Sequence, residues 1–306
     1  MIFCTSKYSY LRDEICSLTG IAPGQLEAKT FPDGERYRRI TQSVVGKEVI
    51  IVGGSVDDSE TLEIYDLACA LVKYGAHTIT LMIPYFGYST MEREVLQGEV
   101  LPAKTRARLF SVIPMAPGGN RVVLLDIHAP GLPHYFEGNV RVRALDSHDL
   151  LVESMKYFGD EDFVIACTDS GRAKTVERLA ESLGVSAVFV FKKRIDGQNT
   201  EVKAVAGEVK NKNVVLYDDM IRSGSSLIEA AKQLKDFGAL KITALATHGL
   251  FPGNATEKLK NAGVFHKIYV TNSHCRVNEL TEADGIEVIS VAPMLSKALR
   301  ELQTIT

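Results

Sequence analysis

No charge of one sign dominates the 306 residues: the formal net charge is −3, the isoelectric point is near 6.2, and Lys and Arg are scattered. That balance argues against a nucleic-acid partner, which needs massed basic residues, and favours a small metabolite. Long apolar runs are missing as well. None approaches the roughly 20 residues of a membrane helix, and MIFCTSKYSYLRDEICSL lacks the basic start and unbroken apolar core of a secretion signal. A cytoplasmic chain with no membrane partner is expected. Cysteine is sparse: Cys4, Cys16, Cys69, Cys167 and Cys275 are odd in number, widely spaced and form no CxxC pair. They read as reduced core thiols, not as a zinc site or a disulfide frame.

What is present is enough apolar residue, 45% of the chain, for a large core, in a length that suits two domains. Short β-branched runs recur: VIIVGG (49–54), TITLMIP (78–84), VVLLDIH (122–128), FVIACTD (163–169), AVFVFKK (187–193), VVLYDD (214–219), ITALATH (242–248) and KIYVTN (267–272). Runs this continuously apolar suit strands buried on both faces of a parallel sheet. Between them, SETLEIYDLACALVKYGA, AKTVERLAESLG and SLIEAAKQLKDFGA carry apolar residues at helical spacing and end near glycine. The fold class is α/β. The order of features occurs twice, GGSVDDSE, IPYFGYSTMER and VVLLDIHAPG being echoed by CTDSGRAK, VFKKRIDGQ and VVLYDDMIRSG. Two similar domains are expected, 1–147 and 148–306, with the C-terminal helix APMLSKALRELQ closing the second. Each is expected to hold a mainly parallel sheet flanked by helices, with ligands at the carboxyl ends of its strands.

The segment VVLYDDMIRSGSSLIEAAKQL carries the sharpest chemistry. Unpaired N–H groups and the helix dipole at the start of SLIEAAKQL favour an anion, and Ser223, Ser225 and Ser226 add hydroxyl donors around Gly224. Carboxylates repel phosphate, so Asp218 and Asp219 must face hydroxyls or a metal on the same ligand. A phosphate cradle beside acceptors for a diol describes ribose 5-phosphate. Read in isolation, the same residues also fit a plain helix cap.

This segment resembles the signature of the type I phosphoribosyltransferase family: an apolar strand, two acids and a small-residue loop. Within that superfamily the chain is similar, along nearly its whole length, to the ribose-phosphate diphosphokinases. The matching stretches are FPDGERY (31–37), IPYFGY (83–88), LDIHAPG (125–131), FKKR (191–194), YDDMIRSGSSL (217–227), THGLF (247–251) and VTNS (270–273). The resemblance implies two tandem phosphoribosyltransferase-like domains and transfer of the diphosphoryl group of MgATP to the anomeric hydroxyl of ribose 5-phosphate, leaving AMP. It implies Lys192 and Arg194 as transition-state stabilisers on a closing loop, with Lys193 between them, and His128 and Asp169 as magnesium ligands, His128 also contacting ATP and oriented by Asp126. It implies that Phe31, Asp33, Glu35 and Arg93 bind ATP, that Asp169, Ser170, Gly171 and Arg172 form a diphosphate turn, and that Asp218, Asp219, Arg222 and Ser223 to Ser226 bind the sugar phosphate. In the family the FPDGE loop reaches a neighbouring subunit, so a homo-oligomer, a dimer or hexamer, is expected. Unaided by the resemblance, FPDGE is a Pro-Asp-Gly turn, KKR a basic surface turn, and His128 a structural histidine.

The pattern is broken in places. Thr90 and Met91 stand where the family has an ATP-binding Arg and Gln, and Glu94, Gln97 and Gly98 fall in a stretch usually basic. Arg172 replaces the second glycine of the diphosphate turn, and Arg222 stands where the main bacterial form has an acid. Two arginines beyond the pattern leave open a larger, more negative acceptor such as ADP-ribose, and a non-catalytic regulatory relative is a third reading.

Overall fold

The protein is described by a computed structural model for residues 1–156, 162–194 and 200–304, excluding the side chains of residues 170, 192–194, 200–203, 303 and 304. The chain separates into two compact units, Met1–Asp146 with Ala292–Thr306, and Ser147–Val291.

The N-terminal unit runs β1 (Ile2–Cys4), α1 (Ser9–Thr19), β2 (Leu26–Thr30), β3 (Arg36–Ile40), β4 (Glu48–Val52), α2 (Asp58–Lys73), β5 (Thr78–Ile83), α3 (Pro102–Ser111), β6 (Asn120–Leu125) and β7 (Arg141–Leu145). β1, β4, β5, β6 and β7 lie side by side in that order, all parallel, while β2 and β3 form a separate antiparallel hairpin. Every residue of β5 and β6 is buried, as expected of parallel strands covered on both faces. α2 starts where Asp57, in extended conformation, accepts the Glu60 N–H, and Asp58 and Glu60 add acid at the positive end of its dipole. Its inner face, Ile64, Leu67, Ala68 and Leu71, packs into a core with Phe3, Ile51, Leu81 and Phe110.

The C-terminal unit runs α4 (His148–Lys156), β8 (Phe163–Cys167), α5 (Ala173–Leu183), β9 (Ala187–Arg194), β10 (Thr200–Ala206), β11 (Asn213–Ile221), α6 (Ser225–Asp236), β12 (Ile242–Gly249), α7 (Ala255–Asn261), β13 (Lys267–Thr271) and β14 (Ile286–Ile289). Its strands lie in the order β10-β9-β8-β11-β12-β13-β14, parallel except for the antiparallel β9–β10 pair. From β8 the chain lays β9 and β10 outward on one side, then returns to place β11 on the other flank of β8. Such a reversal opens a crevice beyond the carboxyl ends of β8 and β11, where open α/β sheets take their ligands. The five strands of the N-terminal sheet run in one direction of order, without a reversal among the described strands.

One expectation is corrected. Helix α8 (Ala292–Thr304) belongs to the N-terminal unit, not the second domain: it lies on α1, Glu301 pairs with Arg143 of β7, and Arg300 donates to the Leu18 carbonyl. An amphipathic helix announces that it covers a sheet but not which one.

Candidate active site

Two segments 50 residues apart meet at the reversal of strand order. Fully buried Thr168, just past β8, donates its hydroxyl to Asp218 Oδ2 at 2.7 Å, and the Asp219 N–H donates to Asp218 Oδ1 at 2.9 Å. Asp219, also buried, receives Arg172 Nη2 on Oδ2 at 2.8 Å. Burial first, and then the adjacent Asp219 charge, push the Asp218 carboxyl up to about 7; the Thr168 hydrogen bond opposes the rise. Thr168 carried no role in the sequence reading, and its position directly before Asp169 was the only available signal.

The residues expected to form a diphosphate turn follow β8. Asp169 is exposed, and its Oδ1 accepts the Gly171 N–H at 2.8 Å, closing a short turn that leads into α5. The Ser170 side chain lies outside the described residues. Arg172 is the surprise: its side chain is 16% exposed and directed into the acid pair.

Beyond β11 the small-residue loop forms as the sequence suggested. Gly224 takes φ 73°, ψ −2° at the head of α6, and a Cβ there would lie 2.7 Å from Leu259 Cδ2, so both backbone and space require glycine. Arg222, Ser223, Ser225 and Ser226 are exposed, and no side chain caps α6. Ser223 Oγ and Ser225 Oγ are 3.1 Å apart, and Lys258 of α7 donates to Ser225 Oγ at 2.5 Å. Sequence reasoning missed Lys258, which lies 33 residues downstream. An ammonium beside the open N-terminus of a helix raises the positive potential there and suits a phosphate.

Lys192, Lys193 and Arg194 are the last residues of β9, opposite Val202, Glu201 and Thr200 of β10. The strand therefore runs on through Arg194, where the sequence suggested a loop. Their side chains, and residues 195–199, lie outside the described residues.

In the N-terminal unit, FPDGE is the turn of the β2–β3 hairpin. Asp33 Oδ1 accepts the Glu35 N–H at 3.1 Å, and the Phe31 N–H donates to the Glu35 carbonyl at 2.8 Å. Phe31 is 40% exposed and packs edge-on against Tyr37, with Lys29 Nζ 5.1 Å and 4.7 Å from the two ring centroids. β3 is anchored by Glu63 of α2, a buried carboxylate that binds Ser6, Arg36 and Arg38. The sequence signal was an acid on the apolar face of a helix. Arg93 is exposed beside Glu92, and His128 is half-buried after β6. Near Thr90 and Met91, Arg106 of α3 donates to Asp58 at 2.5 Å and stacks over Tyr88. Among the described residues no group of three or more His, Cys, Asp or Glu is arranged to hold a metal, and no helix is long and apolar enough to cross a membrane.

Residues 1–113 match the family model for the N-terminal domain of ribose phosphate pyrophosphokinase, and residues 168–305 that for the phosphoribosyl synthetase-associated domain. The ribose-phosphate pyrophosphokinase of Caldanaerobacter subterraneus is 33% identical over 97% of this chain and 93% of its own length. That of Mycoplasma pneumoniae is 32% identical over 98% and 91%. The crystal structure of phosphoribosylpyrophosphate synthetase from Mycobacterium smegmatis matches with a TM-score of 0.86 at 27% identity, covering 100% of this chain and 99% of that one. Sequence and fold agree over nearly the whole chain, and the chain belongs to the ribose-phosphate pyrophosphokinase family.

Proposed function

We propose that the chain transfers the diphosphoryl group of ATP to the anomeric hydroxyl of ribose 5-phosphate, giving phosphoribosyl diphosphate and AMP. The observation that carries this reading is the acid pair, Asp218 and Asp219, set between the Asp169 turn and the open N-terminus of α6. The loop from Arg222 to Ser226, with Lys258 behind it, suits the 5-phosphate, and the carboxylates suit the ring hydroxyls. In the reaction the anomeric oxygen bonds to the β-phosphorus, the bond to the bridging oxygen breaks, AMP leaves with that electron pair, and the hydroxyl proton is released. Such transfer depends on positioning and on spreading negative charge. Lys192 and Arg194 take the second task on the strength of the family match.

Mg²⁺ bound with ATP would supply further neutralisation of the phosphate oxygens. An exposed carboxylate such as Asp169 fits it, because magnesium is commonly held by one or two carboxylates plus substrate phosphates and needs no all-protein cage. The exposed hairpin turn Phe31–Glu35 is consistent with binding ATP, within this chain or a second copy in a homo-oligomer. Arg172 directs its guanidinium to Asp219, and we assign it to that pairing rather than to extra charge on a larger acceptor.

The test is direct. Purified protein is incubated with MgATP and either ribose 5-phosphate or ADP-ribose, AMP is followed, and the product mass is determined. AMP with ribose 5-phosphate is the expected result; AMP with ADP-ribose alone, or with neither, overturns the proposal.

A further inference from the structure

We infer that Arg172 is a positioning residue that holds Asp219 as a charge-balanced acceptor for the ribosyl hydroxyls. The inference rests on the proposed reading of the acid pair as the sugar site. Arg172 stands in a turn where the family resemblance leads one to expect glycine, so the device departs from that pattern.

The geometry has three parts. Asp218 and Asp219 are consecutive, Asp219 buried and Asp218 half-buried beside it, so two acids crowd one poorly solvated spot. The two are supported differently: Asp218 receives neutral donors, the Thr168 hydroxyl and the Asp219 N–H, whereas Asp219 receives a guanidinium at 2.8 Å. Arg172, finally, sits at the head of α5 with φ −102° and ψ 2°, yet its side chain does not cap that helix. The side chain is spent on Asp219.

A guanidinium cannot shed its proton in a protein, so the compensation it offers persists through the neutral range. One Nη on Oδ2 does not exhaust a carboxylate, which has two oxygens and about four lone-pair positions. Asp219 can therefore be fixed by Arg172 and still accept a sugar hydroxyl. The side chain leaves the turn toward Asp219 at the end of β11.

The test uses the full-length protein and three variants, Arg172→Gly, Arg172→Gln and Arg172→Lys. Binding of ribose 5-phosphate is measured by calorimetry, and steady-state kinetics are run with MgATP. Gly and Gln should raise KM and Kd for ribose 5-phosphate roughly ten- to hundredfold, the usual weight of a hydrogen bond to a charged group. KM for ATP and kcat should change by less than about fivefold, and Lys should recover most of the loss. Gln is included because it keeps a polar side chain in the turn while removing the charge; circular dichroism confirms the fold of each. Unchanged ribose 5-phosphate binding in the folded variants overturns the inference, as does an equal loss in kcat and in both KM values, or a Lys variant no better than Gln. A parent protein that neither binds nor turns over ribose 5-phosphate overturns the functional proposal and this inference together. A competent parent beside unaffected variants overturns the inference alone.

Discussion

Glu60→Gln should stabilise the protein at alkaline pH and leave it unchanged at acid pH. Glu60 lies in the first turn of α2 and is 1% exposed. The surrounding groups are already engaged: Glu63 holds Arg36 and Arg38, and Lys7 pairs with Asp57. The neighbouring buried Thr5 hydroxyl favours the ionised form and offsets the rise only in part. Burial, the largest cause, raises the Glu60 carboxyl from its ordinary 4.5 to about 7. The folded protein then binds this proton more tightly than the unfolded chain. The stability contributed by the neutral carboxyl is complete below about pH 4.5 and is lost as pH rises through about 7. At about 1.4 kcal/mol per pH unit, the loss is about 3 kcal/mol across the window. An amide of the same shape does not titrate, so the variant escapes that loss. Thermal unfolding at half-unit intervals from pH 4.5 to 8.5 should show the melting temperature of the variant rising relative to the parent by roughly 6 °C or more, at roughly 2–4 °C per kcal/mol. A difference between variant and parent that is flat with pH refutes the reasoning, because it would mean that Glu60 is ionised in the folded state at acid pH.

Gly224→Ala should lower stability by roughly 1–3 kcal/mol, from strained backbone and the clash with Leu259, and should raise KM for ribose 5-phosphate; thermal unfolding and kinetics on one preparation check both. Thr168→Val removes the hydroxyl that favours ionised Asp218, so the Asp218 carboxyl should climb further above about 7. The acidic limb of the kcat/KM profile should then move to higher pH, and an unmoved limb separates Asp218 from catalysis. Lys192→Ala should reduce kcat roughly a hundredfold or more while circular dichroism stays the same, in line with losing a group aimed at developing charge. Unchanged turnover removes Lys192 from the mechanism.

Elements announced by short unbroken apolar runs were readable because burial on both faces writes itself into composition: β5, β6 and β11 need no alternation to be recognised. The β2–β3 hairpin was not, because LEAKT and RYRRI are largely exposed and charged, and its place is fixed from outside by Glu63. The loop at Gly224 was legible from local chemistry alone, since positive φ and an uncapped helix start are properties of a few consecutive residues. Lys258 and Thr168 were not legible as partners of that chemistry. Their contacts span 33 and 50 residues, and only strand order brings them in.

Strand order also decides what the departures from the family pattern mean. Read along the chain, Arg172 is a lost glycine in a phosphate turn and Asp219 an acid awaiting a hydroxyl, and the two have no connection. β8 and β11 are neighbours because the sheet reverses its order between them, and so the turn after one strand faces the acids at the end of the other. An arginine placed in that turn reaches a carboxylate before it reaches solvent, and the 2.8 Å pair is the outcome. Arg222 shares its charge but not its surroundings: it is the first residue past the end of β11 and is exposed. The same residue type thus meets different surroundings at the two positions, a buried carboxylate at Arg172 and the exposed end of β11 at Arg222, and the topology rather than the charge count distinguishes them.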